Sequence, residues 1–325
     1  MRQKSCEHGT RSGSDILDQD GPRRRVYFLS GFDPRGASFY YRMFGEQVRQ
    51  LKHWSGRCLK TSHRRGQKQD HLISSWQVQE DLALRLDFCF LHWDDIARAH
   101  WPKNPLVLLR DGISIYCWYV FAGGYLKMRR LSEQVALCGL YPVLYVGTTL
   151  LVLLIACSFL GILSYLQLLP ASLLLLLQLV VVLFGCALAW RLANHLGVVW
   201  LFRSIRFTHR LGQARDGDLR RRVAELAQRI GELEASDPAA EVLLVGHSSG
   251  SFVMAMLAAE LRRQGVDRQL AGRLQLLSLG QNLANLAVHG KARAFHDDLA
   301  LLAEEPRLPW LDITSRDDYL CFAAV

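Results

Sequence analysis

Between Glu133 and Arg191 the chain carries no charged side chain, a gap of 57 positions in a sequence that is 21% Asp, Glu, Lys and Arg overall. No soluble core requires so long an uncharged run. One bilayer crossing takes about 20 apolar residues, so the gap holds two spans, about Leu140 to Leu160 and Ala171 to Trp190. Ser164 to Pro170, with its Pro, Gln and interfacial Tyr, forms the turn between them. That turn also lacks charge, whereas Lys127, Arg129 and Arg130 precede the hairpin and Arg191, Arg203, Arg206 and Arg210 follow it. The bias of basic residues to the inner side then places both flanks, and both termini, in the cytoplasm. Two flanks in one compartment are free to fold together as one discontinuous domain.

Other absences narrow the function. The eight cysteines form no C-x-x-C pair and have no histidine at zinc-ligand spacing, so they read as reduced thiols in cytosol and bilayer. No P-loop or dinucleotide fingerprint occurs, and no cofactor or metal is implied. The formal charge is +9, but the basic residues are scattered (Arg23 to Arg25, Arg64 to Lys68, Lys127 to Arg130, Arg220 to Arg222), without an RNA- or DNA-binding motif. A nucleic-acid partner is therefore not expected. The N-terminal 24 residues lack an apolar segment and read as a disordered tail, not a secretory signal.

Outside the hairpin the pattern is that of an α/β domain in two parts, 25–130 and 201–325, with the hairpin at 131–200. Arg25 to Ser30 is a short β-prone run, followed by the loop Gly31 to Gly36 and a helix-like stretch from Ser38 to Leu51. Leu86 to His92 is a second apolar run. Asp94 and Asp95 after it are placed to cap a helix. Leu219, Val223, Leu226, Ile230 and Leu233 make one apolar stripe on a helix from Asp218 to Glu234. Glu241 to Val245, Leu274 to Leu279 and Trp310 to Thr314 read as three more strands. Strands alternating with helices predict a mostly parallel sheet covered on both faces.

Gly246-His247-Ser248-Ser249-Gly250 matches G-x-S-x-G, between an apolar strand and a plausible helix, Ser251 to Arg262. A strand-to-helix turn this sharp strains the backbone at the serine and needs glycine on either side so that strand and helix approach. Ser248 Oγ is then presented at the sheet's edge, with the Ser249 N–H at the helix N-terminus ready to donate to an oxyanion.

On these residues the chain resembles the α/β-hydrolase superfamily over Arg25 to Gly36 and from Glu241 onward, with the hairpin as an insertion. The resemblance implies a serine esterase or lipase with Ser248 as nucleophile. It assigns Ser30-Gly31-Phe32-Asp33 to the oxyanion loop, with the Phe32 N–H as the second donor beside Ser249; Ser30 stands where the family usually has His. The family's acid follows a later strand, which points to Asp318 or Asp317, with Asp318 preferred. Its base follows the acid, and no histidine follows Asp318. The candidates upstream are His289 and His296, while His247 points away from where a base must be. A chain ending before its catalytic histidine is the expected explanation, given the apolar ending Cys321 to Val325. Ser248 and Asp318 are expected near each other at one sheet edge, with neither His289 nor His296 between them.

The sequence thus predicts a membrane-anchored hydrolase of ester or thioester bonds acting through an acyl-enzyme. A lipid or acyl substrate is expected because a tethered pocket meets the bilayer at high effective concentration. An acyltransferase using the same serine, and a non-catalytic scaffold that kept the fold, are the alternatives.

Overall fold

The computed structural model describes residues 23–55, 59–65, 70–80, 84–167, 170–305, 307–315 and 317–322. Residues 1–22 of the expected tail, Leu168 and Leu169 of the turn, and Ala323 to Val325 lie outside them. The chain divides into two compact units, one drawn from the chain up to Trp101 and from Gln213 onward, the other Pro102–Gly212. Residues 102–130 and 201–212, which the sequence reading joined to the α/β parts, fall in the helical unit.

The first unit is built on one seven-stranded sheet. Its strands are β1 (Arg23–Leu29), β2 (Leu59–Thr61), β3 (Ile73–Glu80), β4 (Leu84–Leu91), β5 (Glu241–His247), β6 (Leu274–Leu279) and β7 (Trp310–Ile313), in the order β2-β3-β4-β1-β5-β6-β7. β4, β1, β5, β6 and β7 are parallel, and β3 runs antiparallel to β4 and β2. Arg23 and Arg24, expected in the tail, are the first two residues of β1. The helices of this unit are α1 (Ala37–Ser55), α2 (Asp94–Ala99), α8 (Gly217–Ser236), α9 (Gly250–Arg263), α10 (Val266–Gln269), α11 (Leu283–Ala287) and α12 (Arg293–Ala303); α3 to α7 belong to the second unit.

Alternation along β1 decides which helix covers which face. Phe28 packs with Tyr40 and Phe44 of α1 and with Trp76, Phe88 and Phe90 of β3 and β4. The opposite face presents Arg25, Tyr27 and Leu29 toward α8 and α9, where the Tyr27 hydroxyl donates to Glu234 Oε1 at 3.0 Å. Helices thus cover both faces, as the βαβ pattern requires. The basic clusters Arg23 to Arg25 and Arg220 to Arg222 are engaged in ion pairs inside this unit, with Asp87, Glu234, Asp237 and Glu241 and with Asp216, Asp298 and Asp95.

The second unit consists of α3 (Pro105–Tyr116), continued by a π-helical turn Cys117–Phe121, and α4 (Gly124–Leu131), α5 (Glu133–Tyr165), α6 (Ala171–His195) and α7 (Val198–Gly212). Ser132 caps α5 through its side chain, which accepts from the Val135 N–H. α5 and α6 are both long and apolar enough to cross a membrane. At 1.5 Å per residue they run about 50 and 37 Å, past the roughly 30 Å of a bilayer core, and both extend beyond the spans read from hydropathy. They pack as an antiparallel pair. Tyr145 donates to the Ala189 carbonyl at 2.7 Å, Gln178 donates to the Cys157 carbonyl at 3.1 Å, and Gly185 leaves room for Leu153. Tyr145 and Gln178 thus bond across the pair, while leucines such as Leu150, Leu154, Leu175 and Leu183 are exposed.

Candidate active site

Five parallel strands deliver their C-terminal ends to one edge of the sheet, and β1 is where the chain reverses direction across it. The chain passes from β1 outward to β2 and β3, returns through β4, then crosses to β5 and continues outward to β7. The helices after β1 and β5 consequently lie on opposite faces and leave a crevice between the ends of these two strands. That switch point is where open α/β sheets bind their ligands. It carries Gly31 and Phe32 on one side and Ser248 and Ser249 on the other.

Ser248 and Ser249 alone link β5 to α9, and Ser248 has φ of +53°, a left-handed conformation that costs a non-glycine residue about 1–3 kcal/mol. Its two flanking glycines have no room for a side chain. A methyl group on Gly246 would lie 2.7 Å from the Gly250 carbonyl oxygen and from Ser251 Cα, and one on Gly250 would meet the carbonyl oxygens of Leu29 and Ser30, the latter at 2.5 Å. β5, α9 and the end of β1 are thus in backbone contact around the serine. The turn is pinned on both sides: Ser248 N–H donates to the Leu279 carbonyl at 2.9 Å, and the Ser248 carbonyl accepts from the N–H and hydroxyl of Ser251 at 2.9 and 2.7 Å. Ser249 opens α9, whose first N–H groups have no partner within the helix.

The loop after β1 runs beside the serine, for a Cβ on Gly31 would lie 3.3 Å from Ser248 Cβ. Phe32 is buried and stacks on Trp101 at 5.3 Å. Asp33 holds the loop's shape by accepting from the Arg35 N–H and guanidinium and from the Tyr40 hydroxyl. Arg35 is thereby tied to Asp33 and laid over the Phe39 ring.

The group on Ser248 Oγ is an amide. Asn282 Nδ2 donates to it at 3.0 Å, while Asn282 Oδ1 accepts from Asn285 and the Asn282 N–H donates to Ser251 Oγ. Among the described residues no histidine nitrogen is hydrogen-bonded to Ser248 Oγ. His296 Nε2 bonds the Ala287 carbonyl at 2.8 Å, and His289 is buried in the turn after α11. Sequence reading missed Asn282 and Asn285, although a polar Gln-Asn-x-x-Asn cluster directly after a strand at this edge was a usable signal.

Asp318 follows β7, and its carboxylate accepts from the Leu320 N–H and the Cys321 thiol, 3.5 Å from where a Gly280 side chain would begin. Gly280 follows Leu279, whose carbonyl accepts from the Ser248 N–H. His247 feels Asp318: burial lowers its pKa, and Asp318 and Asp33 oppose the shift. Asp317 is an exposed turn residue bonded through its N–H to Ser315, and Asp312 bridges strands by accepting from Ser278. Ser248 and Asp318 therefore share one edge, with no described bond between them.

A Ser-His-Asp hydrogen-bonded chain is found elsewhere in this unit. Ser74 Oγ lies 2.8 Å from His92 Nε2, and His92 Nδ1 lies 2.9 Å from Asp94, which also pairs with Arg98. Ser74 is fully buried within β3 and sits in extended backbone, so no substrate carbonyl reaches it. Asp94 and Asp95, read as capping residues, stand in the first turn of α2, whose N-cap is Trp93, and their side chains take His92 and Arg98, and Arg222, respectively. Burial alone would raise the Asp94 pKa, but bonds from His92 and Arg98 hold it below the ordinary value. Stability from this lowered pKa is fully present above the unfolded value of about 3.9 and is lost as pH falls from there through the lower folded value. Asp94→Asn is expected to destabilise the protein at pH 7 and to flatten the acid limb of its stability profile. Equal steepness of the two pH–stability curves below pH 5 would remove Asp94 from that account.

Comparison of the chain with family models, curated proteins and solved structures gives no match.

Proposed function

We propose that this protein is a membrane-anchored serine hydrolase that cleaves ester or thioester bonds of lipid or acyl substrates through an acyl-enzyme on Ser248. The observation that carries the reading is the left-handed backbone at Ser248, held between two glycines that tolerate no methyl group, at the switch point of a parallel sheet. Gln167 and Ala214 take a similar φ in connecting loops, so what sets Ser248 apart is the combination of that backbone with two flanking glycines in backbone contact and a helix N-terminus beside it, the arrangement a nucleophile turn needs. In this reading Ser248 Oγ attacks the carbonyl carbon and the oxyanion forms against the Ser249 and Phe32 N–H groups. Ser248 gives up its hydroxyl proton to a base as it attacks. Collapse of the oxyanion breaks the ester C–O or thioester C–S bond and expels the alcohol or thiol, which takes up that proton. Water then attacks the acyl-enzyme to release the acid and restore the serine hydroxyl.

Membrane anchoring rests on α5 and α6, and the sheet adds a constraint that hydropathy alone lacks. β1 pairs with β4 on one side and β5 on the other, so residues before and after the helical unit occupy one compartment. The crossings between them must be even in number, as two spans are. Exposed Lys127, Arg129, Arg130 and Arg191 flank the pair and favour the cytoplasm for that compartment.

One observation favours a non-catalytic scaffold instead, namely an amide on Ser248 Oγ where a base is needed. Labelling with a fluorophosphonate separates the two. The full chain in detergent is expected to form one adduct, on Ser248, and Ser248→Ala to lose it while Ser251→Ala folds and retains some. His247→Ala, His289→Ala and His296→Ala then identify the proton acceptor by loss of rate. A folded chain that takes no label at Ser248 supports the scaffold.

A further inference from the structure

In the second unit, α3 is apolar on two opposite faces. Leu108 and Ile115 pack inward among Ala193, Val198, Val199 and Phe202. Leu106, Leu109 and Ile113, spaced three and four apart, point outward and are 71%, 60% and 64% exposed, and the π-helical turn that follows ends on Phe121, 85% exposed. Between these faces Asp111 pairs with Arg206, and Arg110, its side chain 77% exposed, is long enough to reach a headgroup from beside Leu106. An exposed apolar face of this kind is covered by protein or by lipid. Among the described residues no protein covers this face.

Pro105–Phe121 and Gly124–Leu131 meet at a 66° bend and together pass the hydropathy test for a broken span or a re-entrant segment. Gly123 takes φ of +76° at the bend, where a side chain would be strained. The sheet decides between these possibilities. With α5 and α6 crossing, a third crossing by α3 and α4 would put β1–β4 and β5–β7 on opposite sides of the membrane, although they form one sheet. The segment must come back to the side it left.

We infer that α3, the π-helical turn and α4 form a membrane-embedded, non-crossing element, with Leu106, Leu109, Ile113 and Phe121 in the acyl region of the leaflet that faces the sheet. The inference rests on the reading of α5 and α6 as spans. Pro105–Phe121 is about 25 Å long, less than the roughly 30 Å core, which suits a shallow or re-entrant course. Exposed Lys103 before it and Lys127 and Arg130 after it are placed to meet anionic headgroups. The apolar surface is continuous in composition with the outward leucines of α5, against which α4 packs in the same unit.

Photolabelling of the native full chain tests this. The protein is reconstituted in vesicles of phosphatidylcholine and phosphatidylserine containing a trace of phospholipid with a diazirine in its acyl chain, and labelled peptides are mapped by mass spectrometry. Label on residues 105–121, comparable to that on α5 and α6 and several-fold above that on α8, is the expected result. Label on α5 and α6 with none on 105–121 overturns the inference and leaves the anchor intact, whereas no label on any of them removes the anchor and the inference together. A Phe121→Cys thiol that reacts with an impermeant reagent only from the side opposite the sheet would establish a crossing and overturn it, as would cross-linking of that thiol between two copies without lipid label.

Discussion

Gly250→Ala is expected to destabilise the sheet unit by more than about 3 kcal/mol and to remove whatever reactivity Ser248 has. Small-to-large changes in packed interiors cost about 1–3 kcal/mol when side chains can shift to accommodate them. Here the added methyl group meets the carbonyl oxygens of Leu29 and Ser30, which belong to the central strand and its exit and have no rotamer to change. Relief requires α9 to retreat from β1, which opens the crevice. Gly246→Ala, against the backbone of Gly250 and Ser251, should behave similarly, while Gly217→Ala, with nothing within 4 Å, should leave the midpoint almost unchanged. Thermal unfolding of the detergent-solubilised full chain reads all three. A Gly250→Ala protein as stable as Gly217→Ala would mean that strand, serine turn and helix are not packed in this way.

A second large effect is expected at Glu234. Its side chain is fully buried, with Oε1 2.6 Å from Arg25 Nη1 and accepting from Tyr27, and Oε2 3.2 Å from the Ala239 N–H and 3.3 Å from Arg273. Removing one partner of a buried pair leaves an uncompensated charge and costs about 3–5 kcal/mol, on the order of 10 °C in the unfolding midpoint of a domain this size. Glu234→Leu should show that loss. Arg25→Met in the same chain should recover part of it, because two apolar side chains then face each other. The cycle reports coupling directly: strictly additive losses in the double variant would mean that Arg25 and Glu234 do not stabilise each other.

Glu234 also shows where sequence reading stops. The apolar stripe Leu219, Val223, Leu226, Ile230 located α8, yet the same face continues to Glu234 and not to Leu233, which is only partly buried. Periodicity sees hydrophobicity, and Glu234 is buried because Arg25, an odd residue of the central strand, points at it. β1, β4, β5 and β6 were legible as apolar runs, and G-x-S-x-G with its flanks located the turn at Ser248. β3 was not recognised because Ser74, Gln77 and Gln79 break its apolar character. Its period-2 signal, Trp76 and Val78 inward against Gln77 and Gln79, was present all the same. Asn282 reaches Ser248 from the end of the neighbouring strand: the polar cluster Gln281, Asn282 and Asn285 marked that loop as a candidate, but which of its side chains meets a serine 34 positions away is set by the strand pairing.

The interrupted sheet also bears on biosynthesis. Arg24 and Glu241 are register partners 217 positions apart, with α5 and α6 translated between them. At about 5–20 residues per second, β1 emerges roughly 10–40 s before the strand it must pair with. During that interval one edge of β1 is open, and the apolar faces that α8 and α9 will cover are bare. If α5 and α6 enter a membrane as proposed, the N-terminal half of the sheet stays exposed and aggregation-prone through that step, and a holdase at the ribosome exit is expected to raise the yield of folded chain.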